Sequence, residues 1–324
     1  GPGRQHLRPG PGPTTEKESR LMHTLDDLFD LPPIDRLHHE RTQRIHTVIR
    51  PGAQAPQSST STAADYCLAH HALEGAEAAA RAGDASTFDW YVAHPDAGAT
   101  TGSVPTAVGA RVVVAPTLAD LPRSAISETP YYVLGPGTEP AQPHLWNLAA
   151  DAYASAAAAG FGDLLAAHAV VLCLLRTKNL GETLDSWTIS RLPGTVFMDH
   201  VDDPIVLARD LIHEAGHNWL NDALAATGCK ISDAARFHSP WKQTMRPAFG
   251  FLHACWAFPL IMLFTAHALN STTGELHRFL AAYLDQQRSL LASTATDHAR
   301  ALELISDDGL RHRLAAAHSQ ALAL

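Results

Sequence analysis

Two histidines spaced four residues apart are the clearest chemical signal in the chain. They stand in the run His213-Glu214-Ala215-Gly216-His217, which is an H-E-x-x-H motif. Residues four apart lie on one face of an α-helix, so His213 and His217 can direct two imidazoles at one metal ion, with Glu214 beside it. The motif therefore indicates metal-dependent chemistry with two nitrogen ligands supplied by one helix.

The sequence around the motif predicts the helix that must position these ligands. Asp203 is a suitable cap before Pro204, which favours the first turn of a helix, and Gly228 is a typical stop. Apolar residues recur at helical spacing between these ends, and they are Ile205, Leu207, Leu211, Ile212, Ala215, Leu220 and Leu224. We therefore expect the motif in the middle of a central, buried helix.

Composition and charge narrow the class of protein. The chain has 324 residues, of which 46% are hydrophobic and 18% are charged, a balance that suits a globular core. The net charge of −9, without a cluster of Lys and Arg, argues against a nucleic-acid partner. The 4 cysteines form no C-x-x-C pair, which indicates neither a disulfide framework nor a thiolate zinc site and fits a reducing cytoplasm.

One apolar run is long enough to cross a bilayer. It extends from Pro247 to Leu269 and contains His253, His267 and Pro259. No second span and no flanking basic anchor accompany it. We therefore predict a buried core helix and no membrane partner.

The remaining patterns predict a mainly α fold, a multi-helix single domain with a small β element. Residues 1–20, rich in Gly, Pro and charge, are expected to be a disordered tail or a purification-tag remnant, and residues 21–324 to form the domain. Leu145–Lys178 is expected to be helical with a break at its glycines, and Val112–Val114 to be a short strand. Ser186–His200 is expected to be extended and to lead into the motif helix.

Other histidines stand outside the motif. The paired His70 and His71 are expected at the surface of an Ala-rich helix, Ala63–Ala82. His168 lies on an apolar face and is expected to be a histidine of the core or its rim. None of these three is predicted to bind a metal.

The motif supplies two ligands, and a third must come from elsewhere. The extended metalloprotease pattern would place a histidine six residues beyond the second one, but Ala223 stands there. No glutamate occurs between Glu214 and Glu275, so the usual zinc-peptidase completion is missing. The candidates in this interval are Asp222, Asp233, His238, His253 and His267.

Spacing reduces these candidates to two. Asp222 is five residues after the second histidine and therefore turned off the ligand face of the helix. Asp233 suits a helix cap, and His267 suits a buried, hydrogen-bonded position. His238 and His253 remain.

A cation precedes His253 at helical spacing. Arg246 stands seven residues earlier, which is two helical turns, or about 10 Å along the axis, on the same face. A metal ligand and a cationic anchor can therefore face one pocket.

Several runs in this region resemble a known family. They are Arg209–His217, His238–Lys242, Arg246–Pro247 and Gly250–His253. They are similar to the HExxH-motif peptide-modification proteins, also described as 2-oxoglutarate-dependent HExxH-type peptide β-hydroxylases of ribosomal peptide natural-product pathways. The resemblance covers residues 204–256. The family usually has a bulky residue before Ser-Pro-Trp and Arg at position 242, so His238 departs from its pattern and is less favoured as a ligand.

The resemblance implies a dioxygenase with a mononuclear Fe(II) site and 2-oxoglutarate as cosubstrate. The metal ligands would be His213, His217 and His253, because three imidazoles suit Fe(II) and leave open coordination positions. Arg246 would clamp the distal carboxylate of 2-oxoglutarate, with Lys242 as a second or alternative anchor. The substrate implied is a ribosomally synthesised precursor peptide, hydroxylated at a β-carbon.

Two other classes of protein stay open. In a zinc metallopeptidase, Glu214 would be the general base for a Zn(II)-bound water. In the oxygenase Glu214 has no such task, and it would orient a ligand, hold a water or bind the metal. The third class is a non-catalytic peptide-binding protein with a structural metal. In the oxygenase, Asp210 and Asn221 are expected to orient the imidazoles, and Trp241 to pack beneath the site or to line the peptide groove.

Overall fold

Helices dominate the protein. The structure is a computed structural model that describes residues 25, 27–52, 62–99, 103–106, 109–123 and 128–324. The helical content is 60%, and the predicted mainly α fold with a small sheet is confirmed. The tail predicted for residues 1–20 lies outside the described residues.

The elements follow one another in a mixed order. The helices are α1 (Pro32–Ile49), α2 (Thr62–Ala82), α3 (Ala85–Ala93), α4 (Pro143–Ala158), α5 (Gly162–His168), α6 (Pro204–Thr227), α7 (Ala248–Ala268), α8 (Gly274–Ala292), α9 (Ala295–Leu302) and α10 (Asp308–Leu322). The strands are β1 (Ser103–Thr106), β2 (Gly109–Val114), β3 (Val171–Lys178), β4 (Ser186–Trp187), β5 (Thr195–Val201), β6 (Arg236–Ser239) and β7 (Thr244–Pro247).

Five strands form a sheet in the order β1-β2-β3-β5-β4. Strands β2, β3 and β5 are parallel, with Val112 opposite Val171 and Val171 opposite Thr195, whereas β1 and β4 are antiparallel edges. The first four residues of β3 and all of β5 are buried, as expected for parallel strands covered on both faces. The sheet leads directly into α6, as predicted for Ser186–His200.

The helix predicted for Leu145–Lys178 is wrong in its last part. Residues 143–158 and 162–168 are helical, but residues 171–178 form strand β3 at the centre of the sheet. The run Val170–Leu175 is continuously apolar, and such a run does not distinguish a buried helix from a buried strand by its period. Residues 171–178 form a strand because they pair with β2 and β5.

The sheet separates two hydrophobic clusters. Leu172, Leu174 and Met198 belong to the larger cluster, which includes residues of α4 to α10. Cys173 and Phe197 face the opposite way, toward α2. Alternate residues of one strand thus reach opposite faces, as the pleat of a strand requires.

The predicted surface position of His71 is wrong. This side chain on α2 is fully buried against the sheet, where its Nε2 lies 2.8 Å from Thr195 Oγ1. Its Nδ1 accepts a hydrogen bond of 3.1 Å from the backbone N–H of Leu134. Apolar periodicity misses such a residue because hydrogen bonds at both nitrogens compensate its burial.

Helix α6 has the bounds and caps predicted for it. The Asp203 carboxylate accepts hydrogen bonds from the N–H groups of Ile205 and Val206, and Gly228 ends the helix with a φ of 68° in the left-handed region. Most of the helix is buried, including the positions on both sides of the motif. The motif therefore stands on a central buried helix.

Helix α7 is the apolar run that is long enough to span a bilayer, and it lies in the core. The most apolar window of this helix is 83% buried, which confirms the predicted core helix. Trp256 Nε1 donates a hydrogen bond of 3.0 Å to the carbonyl of Gly216 on α6. A Cβ at position 216 would come within 3.0 Å of Leu260, so the glycine of the motif permits this close helix contact.

Candidate metal centre

The two motif imidazoles meet on α6. His213 Nε2 lies 3.0 Å from His217 Nε2, and ligand atoms of both lie within 4.8 Å of a Glu214 oxygen. Nitrogens about 2.1 Å from a common metal ion are themselves roughly 3 Å apart. The motif side chains therefore have the spacing of a metal site.

Burial keeps these imidazoles neutral. Burial, more than any neighbour, lowers the pKa of His213 to about 4 and that of His217 well below its usual range. A neutral imidazole carries one nitrogen lone pair, which is the form that binds a metal. The donor set therefore fits a divalent transition-metal ion.

His253 joins this pair from α7. Its Nδ1 lies 3.0 Å from His217 Nδ1, on the side of that ring opposite His213. Burial, the neighbouring His217 and the charge of Arg246 hold its pKa well below the usual range. Its Nε2 is buried without a hydrogen-bond partner among the described residues, and a bound metal would satisfy such a nitrogen.

The other candidate ligands lie elsewhere. His238 is exposed on β6, because alternation along this strand turns Phe237 and Ser239 inward. Asp233 lies in a turn and Asp222 is buried away from the motif histidines, in contact with His38. Among the alternatives open in the sequence, the structure places His253 against His217 and leaves His238 outside. The ligand atoms that lie within 4.8 Å of one another are those of His213, Glu214 and His217, and His253 is not in this group.

Glu214 is held against the edge of the sheet. Its Oε1 accepts a hydrogen bond of 2.6 Å from the Ser186 hydroxyl on β4. Burial raises the pKa of Glu214 to about 7, even though the hydrogen bond from Ser186 acts in the opposite direction. A carboxyl group with a pKa near neutrality is suited to holding or transferring a proton.

A cleft of about 950 Å³ opens over these side chains. Its wall includes the motif residues, the segment around β4, the turn between β6 and β7, and the first turns of α7. Lys242, Arg246 and His253 all line it. The volume is in the range of small-ligand sites, so the cleft has room for a metal, a small anion and a peptide side chain.

Two cations face this cleft without a carboxylate partner among the described residues. Arg246 lies on β7, and its guanidinium packs over Gly250 at the start of α7. Lys242 is exposed in the β6–β7 turn. Burial is the main cause that lowers the pKa of both motif histidines. At His213 the charges of Arg209, His253 and, last, Lys242 add to it, and at His217 those of His213 and Arg246 do so. The charges of Lys242 and Arg246 are therefore available to an anion beside the imidazoles.

Aromatic rings support the site from one side. Trp241 stacks on Phe258 with ring centroids 4.4 Å apart, and Phe258 meets His213 edge-on at 5.0 Å. The Trp241 indole donates a hydrogen bond of 2.9 Å to Gln287 on α8. Trp241 packs beside the site as expected from the sequence.

In the described part of the chain neither Asp210 nor Asn221 forms the expected hydrogen bond with an imidazole. Asp210 accepts a hydrogen bond of 2.7 Å from Arg209, and Asn221 lines the cleft. The partners Ser186 and Phe258 were not predicted, because they reach the motif through the sheet and α7 and carry no signature in the sequence.

No protein-family model matches this chain, and comparison with curated proteins gives no significant match. The site itself offers two contacting motif imidazoles and a third against them. A buried carboxyl group and two cations face the same cleft. These groups together match the chemistry of a metal ion that binds beside an organic anion.

Proposed function

We propose that the chain is an Fe(II)- and 2-oxoglutarate-dependent peptide β-hydroxylase that acts on a ribosomally synthesised precursor peptide. The observation that carries the proposal is the position of Arg246 and Lys242, which line the same cleft as the three imidazoles and have no carboxylate partner among the described residues. The resemblance over residues 204–256 to HExxH-type peptide β-hydroxylases supports it. The free cysteines, all buried, fit a cytoplasmic location.

In this proposal His213, His217 and His253 would hold the iron, which requires the His253 ring to turn, because it contacts Nδ1 of His217 whereas His213 meets Nε2 of the same ring. All three are neutral at physiological pH, so no proton has to leave before the metal binds. Three nitrogen ligands leave coordination positions open for a chelating 2-oxo acid and for dioxygen. The stack of Trp241 on Phe258 limits the movement of the His213 ring.

Arg246 is the anchor for the distal carboxylate of 2-oxoglutarate. Its guanidinium can donate two parallel hydrogen bonds to a carboxylate, which fixes the orientation of the molecule as well as its charge. Lys242, exposed at the rim, adds a second positive charge. The cations thus attract the dicarboxylate and direct its other end toward the imidazoles.

The bound iron and 2-oxoglutarate would supply the oxidation, in which 2-oxoglutarate, dioxygen and a peptide C–H become succinate, carbon dioxide and a peptide C–OH. The chain positions the peptide for this reaction. Trp187 and Phe249 line the cleft and offer apolar surface to it, and Gln286 offers hydrogen bonds. Glu214, held by Ser186, has no base role in this reaction.

A zinc metallopeptidase is the second candidate, and one observation favours it. Glu214 lies within 4.8 Å of ligand atoms of both motif histidines, and its pKa is about 7. A general base requires that position and a pKa near the working pH. In a zinc metallopeptidase, Arg246 and Lys242 would have no role in the reaction.

The anchor distinguishes the two candidates. We would measure binding of 2-oxoglutarate to the Fe(II)-loaded protein without dioxygen, by calorimetry, for wild type and Arg246→Lys. Loss of a bidentate, charged hydrogen bond costs about 1.5–3 kcal/mol, so affinity should fall roughly 10- to 100-fold. Arg44→Lys, at an exposed arginine on α1 outside the cleft, is the matched control and should bind as wild type does. Equal binding by wild type and Arg246→Lys would remove the basis of the proposal.

A further inference from the structure

A second group of metal-binding side chains lies on a different face of α6. Asp222 of α6 meets His38 of α1 and His168 of α5, and ligand atoms of the three lie within 4.8 Å of one another. His38 Nε2 is 2.8 Å and His168 Nδ1 is 3.4 Å from the same oxygen, Asp222 Oδ2. These separations are those of ligands around one divalent metal ion, for which roughly 3 Å is expected.

The charge in this cluster favours a cation. All three residues are buried, with exposed fractions of 1% for His38, 2% for His168 and 4% for Asp222. Asp222 Oδ2 has a hydrogen bond of 2.8 Å with His38 Nε2, and His168 Nδ1 lies 3.4 Å from the same oxygen. The carboxylate has no Lys or Arg partner in the described part of the chain. A buried anion without a cation is costly, and a bound metal would neutralise it.

The hydrogen bonds of the cluster are also incomplete. His168 Nδ1, although 3.4 Å from the carboxylate, has no hydrogen-bond partner among the described residues, and neither has His38 Nδ1. A purely hydrogen-bonded triad would be expected to satisfy His168 Nδ1. A metal would take the lone pair of this nitrogen as a ligand.

A cavity of about 280 Å³ adjoins the cluster. His38 and His168 line it, and so does Asp35, which stands one turn before His38 on α1. The cavity has room for a water molecule and polar groups to bind it. Asp35 or a water held by it can therefore complete the coordination of a metal that has three protein ligands.

We propose that His38, His168 and Asp222 form a second metal site that binds a divalent transition-metal ion, with Zn(II) as the probe. Two imidazoles and a carboxylate suit zinc, and they come from three helices that are far apart in the sequence. The metal would fasten α1 and α5 to α6, the helix that carries the H-E-x-x-H motif. The site does not depend on the function proposed for the motif.

Metal stoichiometry tests this proposal. The full chain is stripped with a chelator, titrated with Zn(II) and measured by mass spectrometry of the metal content. A variant with His213→Ala and His217→Ala lacks the motif site and should still bind one zinc per chain. Adding His38→Gln should abolish this binding, whereas adding His39→Gln, at the exposed neighbour on the same helix, should leave it intact.

The possible outcomes either support or overturn the second metal site. Failure of the His213→Ala, His217→Ala variant to bind zinc would overturn the second site, and so would a retained zinc after His38→Gln. If the His38 variant does not fold, the Co(II) spectrum of the His213→Ala, His217→Ala variant replaces it. A tetrahedral or five-coordinate nitrogen-and-oxygen spectrum supports the site, and an aqueous Co(II) spectrum overturns it.

Discussion

The guanidinium of Arg246 lies across Gly250 so closely that a Cβ atom at position 250 would come within 3.1 Å of Nη2 and 3.2 Å of Cζ. Arg246 belongs to β7, and Gly250 is in the first turn of α7. The absence of a side chain at position 250 thus leaves the space in which the guanidinium lies. This contact directs the proposed carboxylate anchor toward the cleft.

Gly250→Ala should displace this anchor without unfolding the protein. Alanine is favoured over glycine within a helix by about 1 kcal/mol, so the melting temperature should stay the same or rise. The KM for 2-oxoglutarate should increase several-fold because the guanidinium has to move. Gly137→Ala, where the added Cβ meets no atom within 4 Å, is the matched control. A KM unchanged by Gly250→Ala would contradict the assigned position of the anchor.

His253→Ala and His238→Ala should have different effects. His253 contacts a motif imidazole from α7, whereas His238 is exposed on β6. We expect His253→Ala to weaken iron binding by at least about tenfold and to abolish succinate formation, and His238→Ala to behave as wild type. Metal analysis and a succinate assay measure both. The reverse pattern would make His238 the third ligand. Unchanged iron binding and turnover in both variants would show that neither residue is an iron ligand.

Glu214→Gln separates the two candidate reactions. The amide keeps the size of the side chain and can still bond with Ser186, but it cannot accept a proton as a base. The oxygenase should therefore retain turnover of 2-oxoglutarate within a few-fold of wild type. A peptidase would lose activity by a factor of about 10² to 10⁴, the usual contribution of a general base. Peptide cleavage that disappears in this variant would establish the peptidase.

His71 should make the stability of the protein depend on pH. Burial, and to a lesser extent the charge of His70, lowers the pKa of His71 from 6.5 to about 3. The unfolded chain therefore takes up the proton first, so the stabilisation is complete above pH 6.5 and is lost as the pH falls toward 3.

Denaturant unfolding of wild type and His71→Gln at several pH values measures this effect. From about pH 8 to about pH 5 the wild type should lose about 2 kcal/mol relative to the variant. The comparison cancels the contributions of other histidines. Parallel stability curves for the two proteins would show that His71 does not titrate as described.

The motif helix could be predicted because its signals are local. The cap at Asp203, the stop at Gly228 and the histidines of the motif all act within one helix, and the structure has them as predicted. Arg246 and His253 were also expected to face one pocket, and both line the cleft. The helical spacing from which this was predicted is wrong, because Arg246 lies on strand β7 and only His253 lies on helix α7.

Features that depend on pairing between distant segments could not be predicted. Strand β3 has the same apolar composition as a buried helix, and only its neighbours β2 and β5 decide its conformation. Ser186 reaches Glu214 because β4 pairs with β5 at the edge of the sheet. His38 meets Asp222 across 184 positions of the sequence. Such contacts arise from topology and leave no spacing pattern.

We propose above all that this chain oxidises a peptide at the expense of 2-oxoglutarate. The most direct measurement follows succinate and peptide mass together, with Fe(II)-loaded protein, dioxygen, 2-oxoglutarate and a precursor peptide encoded beside its gene. One succinate should form for each oxygen atom gained by the peptide, and no product should form without 2-oxoglutarate. Peptide cleavage by the zinc-loaded protein, indifferent to 2-oxoglutarate and without succinate, would contradict this proposal.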